Sequence, residues 1–384
     1  MTTPRFVQLH ILTSYAAANL NRDDTGRPKT VVMGNSQRLR VSSQSLKRAW
    51  RTSDVFKAAL AGHIGTRTKE LGTAVFNALT KGCTLDQALH DASSTGSLLV
   101  LKDKPAREIA QAIAGTFGAL KKDKGKGKPD KDKQDANGGE GAANADESLH
   151  IEQLAHLTPQ ELKAVAALTE ACRASGKAPG AEELDLLRRE HMAVDVALFG
   201  RMLAASKSHS VEAAAQVAHA LTVHKAEVED DFFTAVDDLN RDSTGAGHMG
   251  VIEFGAGLFY LYACIDTHLL RETLGDDALA ARALAALCQC ACTVSPTGKQ
   301  NSFASRAHAS FCLAERGDAQ PRSLAVAYLK GLEGEADMLP AAIAALTTTR
   351  DNFAKVYDDT TESRHFNPLT GEGSLAEVCA FIAG

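Results

Sequence analysis

Residues 5–12 alternate along the chain, with Phe6, Gln8, His10 and Leu12 on one side and Val7, Leu9 and Ile11 on the other. A period of two predicts a strand. A polar loop from Ser14 to Gln37 follows, and Arg38-Leu39-Arg40-Val41 alternates again. Ser42-Ser43 then supplies a helix N-cap, and Leu46, Ala49 and Trp50 form the apolar stripe of the helix behind it. Residues 54–120 read as helices broken at Gly62, Gly65, Gly72, Gly82 and Gly96. Residues 121–148 carry Lys, acids, Gly and Asn without a sizeable apolar side chain, which predicts a disordered insertion. Thr158-Pro159-Gln160-Glu161 is a capping box with Pro at the first helical position, opening a helix to about Arg173.

A second short helix is expected over Ala181–His191 and a strand over 193–199. In 214–224 the spacing of Val217, His219, Leu221 and Val223 favours a strand, while the alanine content favours a helix. Residues 226–258, acidic and glycine-rich around Phe232-Phe233-Thr234, read as a long projecting loop. Phe259–Asp266 and Ser310–Glu315 read as strands; 275–293, 321–334 and 340–356 read as helical. Strands separated by helices, with insertions and no internal repeat, predict an α+β fold of the split βαβ type.

The 384 residues are 44% hydrophobic and 23% charged, room for two or three packed units of roughly 150 residues each. Aromatics are only 5%, so Ala, Leu and Val must build most of the core. No apolar run approaches the roughly 20 residues that span a bilayer. The N-terminal apolar stretch is interrupted by Gln8 and His10, so a strand is the better reading than a signal peptide. The eight cysteines are scattered, which points to reduced, buried thiols in a cytoplasmic protein. Cys288, Cys290 and Cys292 resemble a metal cluster, but on a helix Cys290 points away from the other two, and no second pair stands at zinc-finger spacing. No metal and no cofactor are expected.

The net charge of −5 rules out an all-over polyanion-binding surface and makes one local asymmetry informative. The segment Arg22–Arg51 holds Arg22, Arg27, Lys29, Arg38, Arg40, Lys47, Arg48 and Arg51 against only Asp23 and Asp24. Lys47 and Arg51 are four apart and share a helix face. Ser42, Ser43 and Gln44 lie at that helix's start, where N–H groups and the dipole favour a phosphate. The choice is between a sugar-phosphate track and a solvated basic surface. Asp23-Asp24 and Asp237-Asp238 are the candidate carboxylate pairs for metal-assisted phosphodiester cleavage, although adjacent acids more often cap turns or pair with a nearby Arg. The histidines form no recognised pair or triad, and no P-loop or nucleophile elbow occurs. Phe232-Phe233 reads either as a wedge for a base stack or as a pair that pins its loop to the core.

Several stretches taken together resemble one family. They are Asn19-Leu-Asn-Arg-Asp-Asp24, Arg38 to Arg51, Gly200-Arg201-Met202, Ala218-His219-Ala220 with His224, and Phe233 to Leu239. Glu253-Phe254, Gly257 to Tyr260 and Gly298-Lys299-Gln300 complete the set. The sequence is similar to the CasC subunits that form the repeated backbone of the type I-E CRISPR surveillance complex Cascade (the Cas-seven family of the RAMP superfamily). The resemblance runs to about residue 335 and is weakest across 54–190. It implies a hand-like subunit: an RNA-recognition-like, ferredoxin-like palm from 1–55, 190–225 and 259–384, helical fingers from 56–189, and a thumb from 226–258. It also implies no catalytic activity, with guide RNA, the target DNA strand, further copies of the chain and other Cascade subunits as partners. The guide backbone would be held by Arg22, Lys29, Ser42, Gln44, Lys47, Arg48 and Arg51. Met202, with Arg201 beside it, would pack against a base near a kink. Phe232, Phe233, Thr234 and Met249 would form the thumb's wedge. This chain has Phe232 where relatives carry Trp and Met249 where they carry Leu, which keeps the wedge apolar but changes its shape. The opposing reading is a metal-dependent RAMP ribonuclease acting through Asp23 or Asp24.

Overall fold

The computed structural model describes residues 4–121, 147–203, 206–235, 248–334 and 337–384. The insertion expected over 121–148 therefore lies outside the described residues except at its ends, as does Asp237-Asp238. The chain forms two compact units, Met1–Ala61 with Ala213–Gly384, and Gly62–Glu212.

The first unit opens with β1 (Phe6–Ala18), β2 (Thr30–Met33), β3 (Ser36–Val41), α1 (Ser43–Thr52) and α2 (Asp54–Ala59). Helix α1 forms as its sequence dictates. Ser42 sits in extended geometry and its hydroxyl accepts the Ser45 N–H at 3.4 Å, while Leu46, Ala49 and Trp50 bury one face. Ser53 closes it and in turn caps α2 by accepting the Phe56 N–H.

The second unit holds β4 (Thr66–Thr68), α3 (Leu71–Lys81), α4 (Leu85–His90), α5 (Asp103–Phe117), β5 (Ala155–Leu157), α6 (Pro159–Ser175) and α7 (Val194–Phe199). Its core is small and aliphatic, built from Val75, Leu79, Ile109, Ile113, Val165 and their neighbours. The capping box at Thr158 and Glu161 forms as expected. Two expectations fail. Residues 194–199 are helical: the run alternates like a strand, but it is short and buried on nearly every side, so alternation alone does not separate strand from helix. Asp195 fixes the choice by accepting the Gly65 N–H and the His156 Nε2–H, both at 2.8 Å. Residues 181–191 make turns instead of a helix, because the Arg188 N–H goes to Glu161 and its carbonyl to Arg201. These same bonds tie residues 188–209 to α6 within the second unit.

The chain returns to the first unit with β6 (Ala215–Val217), β7 (Ala220–Thr222), β8 (Glu229–Ala235), β9 (His248–Asp266), α8 (Thr267–Leu274), α9 (Asp277–Thr293), α10 (Gln300–Phe303), β10 (Phe311–Gly317), α11 (Met338–Tyr357), β11 (Glu362–Phe366) and α12 (Leu375–Ala383). The sheet runs β11-β10-β1-β9-β7-β3-β2, with β6 and β8 also pairing with β9, and every pairing is antiparallel. Both faces of β1 are buried. Leu12 joins Tyr260, Leu313, Tyr328 and Leu346 under α11. By alternation Val7, Leu9 and Ile11 face the other way, towards α8 and α9, which pack on β1. This is the expected α+β architecture. The segment 226–258 is not a loop: β8 and the first part of β9 pair as a ribbon. Only Ala325–Tyr328 of 321–334 is helical, as a 3₁₀ turn. There the Arg322 and Leu324 N–H groups donate to Gln8 and Tyr260 of the sheet, so no longer helix can use them.

Candidate nucleic-acid interface

The basic segment Arg22–Arg51 lies in the first unit, and folding divides its cations into distinct classes. Arg38 is fully buried and donates to the carbonyls of Thr222 and Tyr328, both at 3.2 Å. Arg27 is paired with Glu253 at 2.6 Å. Arg40 meets Nδ1 of His219 at 3.3 Å. Arg22 and Arg48 are exposed, and Lys29, Lys47 and Arg51 are half-buried. Burial pulls the Lys47 ammonium below its ordinary pKa.

The loop that carries Arg22 and Lys29 is pinned at both ends. Asn19 donates to the carbonyls of Gly26 at 3.0 Å and Glu253 at 2.8 Å. Asn21 accepts the Ser42 N–H at 2.9 Å, tying the loop to the start of α1. Asp23 is a turn former: one carboxylate oxygen accepts from the Thr25 hydroxyl, the Thr25 N–H and the Arg27 N–H within 3.0 Å. The Thr25 hydroxyl, followed by those N–H groups, holds its carboxyl below the usual range.

The start of α1 is not the open anion site that its sequence suggests. The Ser43 N–H donates to His219 Nδ1 at 3.3 Å, and the Ser45 N–H to the Ser42 hydroxyl. Ser42 itself is 6% exposed, so its hydroxyl serves the cap. Gln44 is exposed at the same turn. Because Nδ1 of His219 accepts, its proton sits on Nε2. Burial, then Arg40 and Lys29, press its pKa below the ordinary value, which keeps that acceptor intact. Asn21 and His219 appear among the resembling stretches, but nothing in their spacing revealed that they occupy the helix start.

In the ribbon, Phe232 faces Val251 and Thr234 faces Met249 across the ladder, two residues apart on one side. Phe233 faces Gly250 on the other side. A Cβ at Gly250 would lie 2.6 Å from the Phe233 ring, so a larger residue there would displace that ring. Phe232, Met249 and Val251 are each more than 60% exposed. The residues expected to form a wedge thus split between two faces, and Val251, which the sequence did not single out, completes the exposed one. Phe232→Ser is expected to change the free energy of unfolding by no more than about 0.5 kcal/mol. Denaturant titration checks this, and a larger loss would mean that the ring is packed.

Arg201 and Met202 lie in the second unit and part company there. Arg201 is 4% exposed, with a guanidinium that bonds Glu161 at 2.8 Å and the carbonyls of His156, Arg188 and His209. Its guanidinium is held in the interior by that ion pair. Met202 is 79% exposed at the rim of a cavity of about 260 Å³ lined by Phe117, Leu154 and Leu203.

Cys288, Cys290, Cys292 and Cys312 are buried free thiols, as expected. Among the described residues no group of His, Cys, Asp or Glu is placed to hold a metal ion. Among the same residues no helix is long and apolar enough to cross a membrane.

No curated protein matches the chain. Solved structures do, among them the following two. A chain of a "CRISPR RNA-guided surveillance complex, pre-nicking" is 29% identical with a TM-score of 0.75, over 98% of this chain and 99% of its own. A chain of a "CRISPR RNA-guided surveillance complex" is 25% identical with a TM-score of 0.56, over 97% of this chain and 92% of its own. The CT1975-like protein family matches residues 7–378, nearly the whole length, and the chain belongs to that family.

Proposed function

We propose that this chain is a guide-RNA-binding backbone subunit of a type I-E Cascade complex in the cytoplasm. Copies of it polymerise along the spacer, other Cascade subunits join them, and the guide's bases are presented for pairing with target DNA. The observation that carries the reading is convergence in the first unit. Asn21 reaches Ser42, His219 reaches Ser43 and Arg40, and Glu253 reaches Arg27, although these residues are far apart in sequence. Around that junction stand Arg22, Lys29, Gln44, Lys47, Arg48 and Arg51. Cations and an amide grip phosphate and sugar without reading bases, which suits a guide of any sequence. Selectivity then passes to guide–target pairing. Likeness to chains of two CRISPR RNA-guided surveillance complexes supports the same reading. The test is a native mass and a 260/280 nm absorbance ratio on the purified assembly. Several chains with RNA are expected; a protein-only spectrum would overturn the proposal.

The exposed face of Phe232, Met249 and Val251 serves as the wedge between paired segments. Phe232→Ser should weaken capture of target DNA more than guide binding, and equal losses would refute that role.

The subunit is proposed to be non-catalytic. Asp23 is committed to its turn, and a metal-dependent cut would rest on Asp24. Complementary RNA incubated with the assembly and Mg²⁺ is expected to stay intact. Regularly spaced cuts, abolished by EDTA and by Asp24→Ala, would reverse this conclusion.

A further inference from the structure

Gly298-Lys299-Gln300 belongs to the family-like stretches, yet nothing above assigns it a task. Gly298 lies against the turn at Asn19-Leu20 so closely that a Cβ there would sit 2.2 Å from the Leu20 carbonyl oxygen and 2.9 Å from that of Asn19. Only glycine permits this approach. It holds Lys299 one residue from the contact, while on the other strand the next residue is Asn21, whose amide bonds Ser42. The loop is rigidly built. Lys299 and Ala304 both adopt left-handed backbone, each with φ of 48°. For residues with a Cβ such a conformation persists only where the surroundings over-determine it. Here the Ser302 and Phe303 N–H groups donate to the Lys299 carbonyl, each at 3.0 Å, and Phe303 packs on Phe254 at the base of the ribbon.

The charge of this loop is one-sided. Residues 294–314 contain Lys299, Arg306 and His308 and no Asp or Glu, in a chain that is acidic overall. Among the described residues neither Lys299 nor Arg306 has an acidic partner. Arg306, His308 and Gln300, with Thr52 and Ser53 at the end of α1 and one acid, Asp54, at the start of α2, line an open cavity of about 660 Å³. Lys299 thus stands beside the Asn19–Asn21 turn, and Arg306 lines the same cavity as the end of α1.

We propose that Lys299 and Arg306 are further phosphate-contact residues for the same single-stranded RNA, so that the 297–308 loop forms a second basic wall beside α1. This inference rests on the guide-binding reading and extends it to an element that neither the basic segment nor the ribbon contains.

The test is guide-RNA affinity of the full chain as a function of salt. Lys299→Gly removes the amine while relieving the left-handed backbone, so the loop keeps its shape. Lys299→Arg keeps the charge, and Arg306→Gln removes the second one. Each lost phosphate contact should reduce the slope of log affinity against log salt by about 0.7, which is about a 4-fold loss at 0.15 M salt. Lys299→Gly and Arg306→Gln are expected to show that change and Lys299→Arg the parental slope. If both charge-removing variants keep the parental slope while Lys47→Ala with Arg51→Ala lowers it, the second wall is refuted and guide binding stands. If all of them keep the parental slope, guide binding at this face fails and the second wall fails with it.

Discussion

Replacing Glu315 with alanine is expected to lower the stability of the sheet unit by about 3–5 kcal/mol, the usual cost of removing one partner from a buried ion pair. Glu315 is fully buried on β10. Its carboxylate accepts from Arg322 at 2.5 and 3.0 Å, Arg350 at 3.2 Å, Thr361 at 3.3 Å and His10 at 3.0 Å. One acid therefore ties β1, the 318–324 loop, α11 and the approach to β11 to the sheet. Truncation leaves two guanidinium groups, each less than a quarter exposed, facing a cavity. Asp359, 3.4 Å from Arg322, compensates one of them in part. Trp50 is the only tryptophan and lies in the same unit, so its fluorescence during denaturant titration reports this transition. A loss below about 1 kcal/mol, the scale of an ordinary surface hydrogen bond, would show that the network is not integral to the fold.

The same network fixes the pH response. Burial works to raise the Glu315 pKa, but bonds and charges from His10 and Arg322 outweigh it, so the group lies below the usual carboxylate range. Burial presses His10 below its ordinary value, more strongly than Glu315 raises it. In both cases the unfolded chain binds the proton more readily than the folded one, so stability rises with pH. The His10 share is present above about pH 6.5 and lost as pH falls below it; the Glu315 share is lost only below about pH 4.3. Unfolding followed by Trp50 should therefore show a loss of stability between about pH 7 and 5 that His10→Gln reduces. A loss of equal size in that variant would remove His10 from the account.

Local signals were legible where they are local in physics. The Ser42 cap with Leu46, Ala49 and Trp50, the Thr158–Glu161 box and the alternation of β1 depend on neighbours within a turn or a strand, and they form where expected. The failures share one cause, in that a distant side chain claims the backbone or the charge. Gln8 and Tyr260 take the N–H groups that a helix over 321–334 would need. Asp195 selects a helix for a run that alternates like a strand. The candidate site shows the same limit. Arg38 and Arg48 are indistinguishable as letters, yet one clamps two carbonyls in the interior and the other is exposed. Phe232 and Phe233 read as one dipeptide until the ladder places them on opposite faces. Composition singled out the basic segment, but only tertiary structure shows which of its cations remain at the surface.

Lys47→Ala combined with Arg51→Ala is expected to reduce the salt slope of guide binding by about 1.4 and to weaken affinity about 14-fold at 0.15 M salt, two phosphate contacts' worth. The helix itself should survive. Its buried face is Leu46, Ala49 and Trp50, its cap is Ser42, and neither substitution touches them. Both side chains are half-buried, consistent with aliphatic stems lying along the surface beneath their charges. Their loss should cost the fold no more than about 1 kcal/mol. Arg38→Ala supplies the contrast. It removes a buried donor to Thr222 and Tyr328, so it should destabilise the sheet unit while leaving the salt slope of whatever folds unchanged. The two variants therefore separate a charge that holds RNA from a charge that holds the protein, even though both come from one basic segment. If Lys47→Ala with Arg51→Ala binds guide RNA with parental affinity and slope, the face of α1 is a solvated basic surface, and the RNA path must be sought elsewhere on the chain.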